Sequence, residues 1–357
     1  MKKLVSLKLT VLITLFTLAL TGCSTNTPKT TEAETAAPET ETAAPETTTE
    51  AQTPASEAEV ATTVEITDRH GTVTVPINPK TVVALDNRTY ETLADWGIVL
   101  AAAPKNVMPP ELSFYIDDDS VQNIGSHNEP NLEIIAAVDP ELVIVGQRFG
   151  NYYEDIVALV PNAVVIDLNI DTSADAETPG ENLVNGLKNA TLSLGQIFEK
   201  NEEAQQLVAD FDAAIENAKS AYNGTDTIMT IIVSGGDIRF AAPLSGRVWG
   251  PMYEIFDWTS SLYVDGASSD HQGDDISVEA IAQSNPDWVF VLDRDAATAA
   301  ADGAVPASDV ISNSPALQNI TAVTNDQVVY APNDTYTNES IQTFLELFES
   351  LANALSK

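Results

Sequence analysis

Residues 132–145 read LEIIAAVDPELVIV, and residues 278–291 read VEAIAQSNPDWVFV. The two segments align without gaps at an offset of 146 residues and share Glu, Ile, Ala, Pro and two Val at equivalent positions. Each has the pattern of a short helix, a turn that contains proline and a buried strand, because it ends in a continuous apolar run. Two copies at this spacing are too few and too far apart for a solenoid. The repeat therefore predicts two similar α/β lobes.

The rest of the chain extends this α/β alternation. Short apolar runs typical of buried parallel strands occupy residues 81–85, 141–146, 163–168, 227–233, 287–292 and 327–330. A hairpin is predicted over residues 64–75 around Gly71, and helices over 89–96, 181–198, 202–222 and 340–355. We expect an N-terminal lobe at residues 63–200, a connecting helix at 201–222 and a C-terminal lobe at 223–357.

The N-terminus has the pattern of an export signal. Lysines at positions 2, 3 and 8 precede an apolar stretch at residues 11–20, which is too short for a good membrane span and typical of a signal peptide over 1–22. It ends in Leu20-Thr21-Gly22-Cys23, which resembles the lipobox of bacterial lipoproteins. That resemblance implies cleavage before Cys23 and a lipid on its sulfur, and the alternative is an ordinary buried thiol. Residues 23–62, rich in Thr, Glu, Pro and Ala, predict a disordered tether that begins at the lipidated cysteine.

Composition excludes several classes of protein. A formal net charge of −37 argues against a nucleic-acid partner, which needs a basic footprint. The chain is 44% hydrophobic and 19% charged, which does not suit a disordered protein. One cysteine rules out an internal disulfide framework, a cysteine-based zinc site and an iron–sulfur cluster, and three scattered histidines do not make a site for bare zinc or manganese.

Arginines mark the ends of predicted strands. Arg148 and Arg294 extend the repeat, since they also differ by 146, and each follows the strand of its copy by two to three residues. Ligands of parallel sheets collect outside the carboxyl ends of the strands, so the repeat directs one arginine from each lobe towards a common cleft. Arg247 lies in a third such loop, and arginine suits planar oxyanions. The three side chains predict an anionic ligand, and the alternative is three surface salt bridges.

Two further side chains are candidates for the second lobe's side of that cleft. His271 lies in a polar loop before the second repeat copy, and Tyr336 lies in a loop after the last strand. An imidazole and a phenolate are suited to Fe(III) or to hydrogen bonding, and the alternative is a loop histidine and a half-buried tyrosine. We expect His70 and His127 at the surface, with His127 near the cleft rim.

Over about residues 63–357 the sequence resembles the substrate-binding lipoproteins of ABC importers for ferric siderophores, and among them the binders of petrobactin and other bis-catecholates. The segments that carry the resemblance are 123–126, 129–133, 139–144, Gly146-Gln147-Arg148, Ser245-Gly246-Arg247, His271-Gln272-Gly273, 276–279 and Leu292-Asp293-Arg294. The resemblance implies two Rossmann-like lobes joined by a single long helix, the class III substrate-binding fold.

The same resemblance implies roles for individual residues. Arg148, Arg247 and Arg294 would surround an anionic ferric catecholate, and His271 and Tyr336 would fill iron positions that a four-coordinating siderophore leaves open. The threonines on both sides of Tyr336 depart from the family's aromatic and apolar flanks. Glu133 and Glu279, at equivalent positions of the repeat, would dock on arginines of the permease dimer.

The sequence thus predicts a receptor and not an enzyme. We expect a monomer, lipid-anchored through Cys23 at the outer face of the cytoplasmic membrane, that delivers a ferric siderophore to an ABC permease without an intrinsic cofactor. A receptor of the same fold for haem, cobalamin or a hydroxamate siderophore remains an alternative. A secreted hydrolase is the alternative from another class, but the chain has neither a Gly-x-Ser-x-Gly elbow nor a His-Glu-x-x-His motif. A surface adhesion protein would not explain arginines repeated at strand ends.

Overall fold

The computed structural model describes residues 61–173, 175–298 and 303–357. The predicted signal peptide, Cys23 and nearly all of the predicted tether lie outside the described residues. Within the described ranges, no helix is long and apolar enough to cross a membrane.

The first lobe contains an antiparallel hairpin and a five-stranded parallel sheet. The hairpin pairs β1 (Thr63–Asp68) with β2 (Gly71–Pro76), as predicted. The sheet has the order β5-β4-β3-β6-β7, formed by β3 (Val82–Ala84), β4 (Ala102–Ala103), β5 (Gln122–Asn123), β6 (Leu142–Val145) and β7 (Val164–Asp167). Its helices are α1 (Tyr90–Asp95), α2 (Ser113–Ile116), α3 (Leu132–Ala137) and α4 (Tyr153–Leu159).

Two long helices follow, α5 (Pro179–Ile197) and α6 (Asn201–Ala221), and the helix shared by the two cores is α5. Leu183 and Leu187 of α5 pack in a core formed by the second half of the chain, whereas Leu194 and Ile197 pack in the core of the first lobe. The buried side chains of α5 recur at helical spacing along all of its 19 residues, so one stripe serves both cores. The connecting helix at residues 201–222 stays a prediction. The lobe limits stay predictions.

The second lobe repeats the parallel sheet. Its order is β10-β8-β11-β12, with β9 antiparallel to β8. The strands are β8 (Thr227–Ser234), β9 (Asp237–Phe240), β10 (Thr259–Ser260), β11 (Trp288–Asp293) and β12 (Val328–Tyr330). The helices are α7 (Gly250–Phe256), α8 (Val278–Ser284), α9 (Arg294–Thr298), α10 (Ala307–Ser312), α11 (Thr321–Thr324) and α12 (Ile341–Leu355). Helix α6 packs on α12 in this lobe, where the rings of Phe211 and Phe348 stack 5.5 Å apart.

The sequence repeat is a structural repeat. One copy forms α3 and β6, the other α8 and β11, and each strand lies inside its sheet with a parallel partner on either side. Asp139 and Asn285, at equivalent positions before the prolines, both adopt left-handed backbone conformations, with φ of 46° and 44°. Asp and Asn tolerate this region better than most residues. The prediction of two α/β lobes is confirmed, and equivalent strand ends of the two lobes carry Arg148 and Arg294.

Candidate functional site

A cavity of about 500 Å³ opens between the two lobes at the carboxyl ends of their strands. All five side chains that the sequence nominates for ligand binding border it, namely Arg148, Arg247, Arg294, His271 and Tyr336. His127, Gln147 and the segment 106–108 of the first lobe complete much of the wall. The structure therefore brings the nominated residues together, and their roles stay predictions.

The two arginines of the repeat reach one segment from opposite lobes. Arg148 donates from Nη2 to the backbone oxygen of Thr337 at 3.3 Å. Arg294 donates from Nε to the hydroxyl of Tyr336 at 3.1 Å. Burial lowers the pKa of Arg148, and the like charge of Arg247 lowers it further. A cation in this position gains from an anionic ligand.

Tyr336 is a platform for two guanidinium groups. The Cζ atom of Arg247 lies 4.6 Å from the centroid of its ring, and that of Arg294 lies 5.4 Å from it, both within cation–π range. The tyrosine is only 6% exposed and its ring belongs to the core of the second lobe. Its backbone oxygen also accepts a hydrogen bond of 2.9 Å from Arg247 Nη2.

A buried carboxylate that sequence reasoning missed lies beside these arginines. Glu339 pairs through Oε1 with Arg247 and through Oε2 with Arg88 Nη2, the latter at 2.9 Å. The side chains of Arg88 and Glu339 are 3% and 5% exposed. Burial alone would raise the pKa of Glu339, but the charges of Arg247, Arg88 and Arg148 together hold it below its ordinary value. The position of Arg88 just after the end of β3 is a sequence signal that could have indicated it. Glu339 is one of many acidic residues, and no sequence pattern distinguishes it.

Polar contacts join the lobes below the cavity. Asn87 donates from Nδ2 to the backbone oxygens of Thr337 and Asn338, at 3.2 and 2.8 Å. Glu91 of α1 accepts hydrogen bonds from Asn338 Nδ2 at 2.9 Å and from Ser340 Oγ. The segment before α12 is thus attached to the first lobe at several points.

Asp86 is buried behind this junction. Burial raises its pKa to about 7, although Arg88 opposes the shift. Its Oδ2 has no hydrogen-bond partner among the residues the structure describes. Gly146 lies against it so closely that a Cβ at position 146 would be 2.2 Å from Asp86 Cγ, so only glycine fits there.

A second compartment of about 450 Å³ lies next to the first. Arg247, Gln147 and His271 border both compartments, and Arg69, Arg88 and Glu339 border the second. The two compartments are therefore neighbours that share these three side chains as a common boundary.

The histidines differ in their surroundings. The side chain of His271 is 55% exposed, with Nδ1 3.9 Å from Asp270 Oδ1. His127 is partly buried at the cavity wall, and burial followed by the charges of Arg148 and Arg247 lowers its pKa. His70 is exposed and stacks on Tyr153, away from the cavity. Among the described residues, no group of three or more His, Cys, Asp or Glu side chains is placed to hold a metal ion.

Glu133 and Glu279 lie outside the cleft. Each is the second residue of its helix, α3 or α8, and each is exposed. The structure thus keeps them equivalent and available at the surface.

Two lobes with parallel sheets, a helix shared by their cores and a cleft at the strand ends define the class III fold of periplasmic binding proteins. Residues 82–335 match the periplasmic binding protein family, and the chain belongs to this family. It is 28% identical over 295 residues to the petrobactin-binding protein YclQ of Bacillus subtilis, covering 81% of this chain and 86% of that protein. The crystal structure of YclQ superimposes with a TM-score of 0.68 at 25% identity, over 83% of this chain and 99% of that one. The ferric-anguibactin-binding protein FatB of Vibrio anguillarum is 26% identical over 276 residues, covering 77% of this chain and 81% of FatB.

Proposed function

We propose that this protein is an extracytoplasmic receptor that binds a ferric siderophore of the catecholate type and delivers it to an ABC permease. The observation that carries the proposal is the convergence of Arg148, Arg247 and Arg294 on one cavity between the lobes. A ferric catecholate is an anion whose charge is spread over planar oxygens, the geometry that guanidinium groups bind best. The ligands named for YclQ and FatB support this class of ligand.

The local positive charge of the cavity favours an anionic ligand, although the net charge of the whole chain is negative. The chain carries a formal net charge of −37, so its long-range field repels anions. At physiological salt the screening length is about 8 Å, and only nearby charges act strongly. Glu339 shares its single charge between Arg88 and Arg247, and Asp295 Oδ1 lies 3.8 Å from Arg294 Nη1, so four arginines face these two carboxylates and keep a positive excess at the cavity.

His271 and Tyr336 are our candidates for iron positions that a four-coordinating siderophore leaves open. Both border the cavity. The imidazole of His271 is exposed, with Nδ1 3.9 Å from Asp270 Oδ1, whereas the hydroxyl of Tyr336 accepts a hydrogen bond from Arg294. The iron is cargo in this scheme and arrives with the siderophore, so no covalent step and no resident cofactor are needed.

Anchoring and delivery complete the proposal. A lipid on Cys23 would hold the receptor at the outer face of the cytoplasmic membrane. Glu133 and Glu279 would each meet one subunit of the permease dimer, because equivalent carboxylates on two similar lobes suit a symmetric partner. Their equal exposure and equivalent helix positions support this role.

Titration of the purified protein tests the ligand class. Trp249 is buried two residues from Arg247 and serves as a fluorescence reporter. The panel comprises iron(III) bis- and tris-catecholates, ferric citrate, a ferric hydroxamate, haem and cobalamin. We expect the ferric catecholates to bind tightest, and Arg247→Gln to weaken them. Arg239→Gln is the matched control, since Arg239 borders neither compartment and pairs with Asp237. Tighter binding of haem, cobalamin or the hydroxamate would reject the catecholate proposal.

A further inference from the structure

Residues 336–339 contact four arginines. Tyr336 contacts Arg247 through its backbone oxygen and Arg294 through its hydroxyl. Thr337 accepts from Arg148, and Glu339 pairs with both Arg247 and Arg88. Only one of these acceptors is charged, and that is the carboxylate of Glu339.

The backbone fixes the position of that carboxylate. Glu339 adopts a left-handed conformation with φ of 55°, which is uncommon for a residue with a side chain. Helix α12 starts directly after Ser340, which caps the helix by accepting a hydrogen bond of 3.0 Å from the Thr343 amide. Glu339 is therefore held between a turn attached to the first lobe and a capped helix of the second.

Charge balance makes Glu339 important for Arg88. A guanidinium that is 3% exposed needs a counter-ion, because an unpaired buried charge is strongly unfavourable. Nε and Nη1 of Arg88 have no partner among the described residues, and Glu339 supplies the ion pair. Arg88 belongs to the first lobe and Arg247 to the second, so one carboxylate fixes an arginine of each lobe.

We propose that Glu339 is a positioning residue, which orients Arg247 towards the ligand while it joins the two lobes through Arg88. The proposal rests on the proposed function in that it takes the ligand to be an anion. A positioning role and a purely electrostatic role predict opposite changes in anion affinity when Glu339 is neutralised. If Glu339 acted only through its charge, its neutralisation would strengthen anion binding. If it positions Arg247, its neutralisation weakens binding although the site becomes more positive.

Four variants separate these roles: Glu339→Gln, Glu339→Asp, Arg88→Met combined with Glu339→Gln, and the control Asp334→Asn. Asp334 lies in the same loop and accepts a hydrogen bond of 3.0 Å from Asn338, but it forms no ion pair with an arginine among the described residues. The probe is iron(III) with excess 2,3-dihydroxybenzoate, titrated by tryptophan fluorescence. Thermal unfolding and 15N–1H spectra of the arginine side chains are recorded on the ligand-free proteins.

We expect Glu339→Gln to bind the probe about 10-fold more weakly than the parent, the loss of one charge-assisted contact. The Nη signals of Arg247 should broaden as its side chain becomes free to rotate. The double variant removes the unpaired Arg88, so it should recover thermal stability without recovering affinity. Asp334→Asn should bind like the parent.

Equal or tighter binding by Glu339→Gln, with unchanged arginine spectra, would overturn the positioning role. If that variant does not fold, Glu339→Asp retains the charge and shortens the reach, and parent-like affinity and spectra there would overturn it equally. If the parent binds no ferric catecholate, the proposed function fails by itself. The arginine spectra of the ligand-free variants then still decide whether Glu339 holds Arg247.

Discussion

Arg294 and Arg148 hold equivalent positions in the two lobes, yet they converge on adjacent residues of one segment. Arg294 donates to the hydroxyl of Tyr336 at 3.1 Å, and Arg148 donates to the backbone oxygen of Thr337 at 3.3 Å. Residues 336–337 belong to the second lobe and have no counterpart in the repeat. The quasi-symmetric arginines are thus both fixed by one asymmetric element at the cavity.

The first prediction concerns the arginines of the cavity. Replacing Arg148, Arg247 or Arg294 with Gln should weaken ferric-catecholate binding by about 10- to 100-fold each, at roughly 1.5–3 kcal/mol per charge-assisted contact. Arg247→Gln should also lower thermal stability, because it removes one partner of the buried Glu339. Lys at the same positions should restore only part of the affinity, because it keeps the positive charge but lacks the planar fork of the guanidinium. Fluorescence titration and circular dichroism measure both effects. Parent-like affinity in three folded variants would show that these arginines serve internal hydrogen bonds and salt bridges and not the ligand.

The second prediction concerns the candidate iron ligands. Tyr336→Phe keeps the ring beneath Arg247 and Arg294 but removes the hydroxyl that Arg294 contacts. We expect Tyr336→Phe and His271→Ala to weaken a ferric bis-catecholate, whose iron has open positions, and to leave a six-coordinate tris-catecholate nearly unaffected. The visible charge-transfer band of the bound bis-catecholate should shift in each variant.

Two results would contradict that prediction. An unchanged band in both variants would show that neither side chain reaches the iron. If Tyr336→Phe loses the same affinity for both ferric complexes, Tyr336 supports Arg294 and does not bind the metal. His127→Ala is the control, because His127 borders the same cavity and has not been assigned to the iron.

Much of the fold could be predicted because its strands are buried on both faces and read as apolar runs. The strands β3, β6, β7, β8, β11 and β12 all lie within or largely within predicted segments. The two-residue strands β4, β5 and β10 were missed, since two residues carry no periodicity. The sequence does not show that α5 is shared by the two cores, because an amphipathic pattern does not reveal which lobe each half of the apolar stripe faces.

The site could be predicted in part for a similar reason. The offset of 146 relates Arg148 to Arg294 without any structure. Glu339 and Arg88 are 251 positions apart, and no sequence pattern joins them. Their pairing depends on how the lobes meet, which only tertiary structure provides.

The third prediction concerns delivery to the permease. Glu133→Ala combined with Glu279→Ala should leave ligand affinity unchanged, because both side chains are exposed and border neither compartment. Iron uptake by cells carrying the variant should fall. Glu202→Ala with Glu216→Ala removes two exposed charges from α6 and is the matched control. Lost ligand binding in the first pair, or equal uptake by both pairs, would count against docking through the repeat.

The fourth prediction concerns the anchor. Cys23→Ala should abolish lipid attachment, so the protein should leave the membrane fraction or accumulate with its signal peptide. Ligand binding by the released protein should match that of the parent. Metabolic labelling with a fatty acid, followed by fractionation, measures the change. Labelling of Cys23→Ala at the parent level would place the lipid elsewhere.

The last prediction concerns Asp86 and pH. Burial raises its pKa to about 7 from an ordinary value of 3.8, so the folded protein holds this proton more tightly than the unfolded chain does. The contribution of Asp86 to the free energy of unfolding therefore falls by about 1.4 kcal/mol for each pH unit between about pH 4 and pH 7, and then levels off. The contribution of Glu339 to stability changes with pH in the opposite direction. Its pKa is held below the ordinary 4.5, so this contribution is lost only in acid. Measurements between pH 5 and 8 consequently separate the contribution of Asp86 from that of Glu339.

In that pH range Asp86→Asn should become more stable than the parent as pH rises, by on the order of 2 kcal/mol in urea unfolding. Asp119→Asn removes an exposed carboxylate and is the matched control. A constant difference between Asp86→Asn and the parent would mean that Asp86 titrates alike in the folded and unfolded protein.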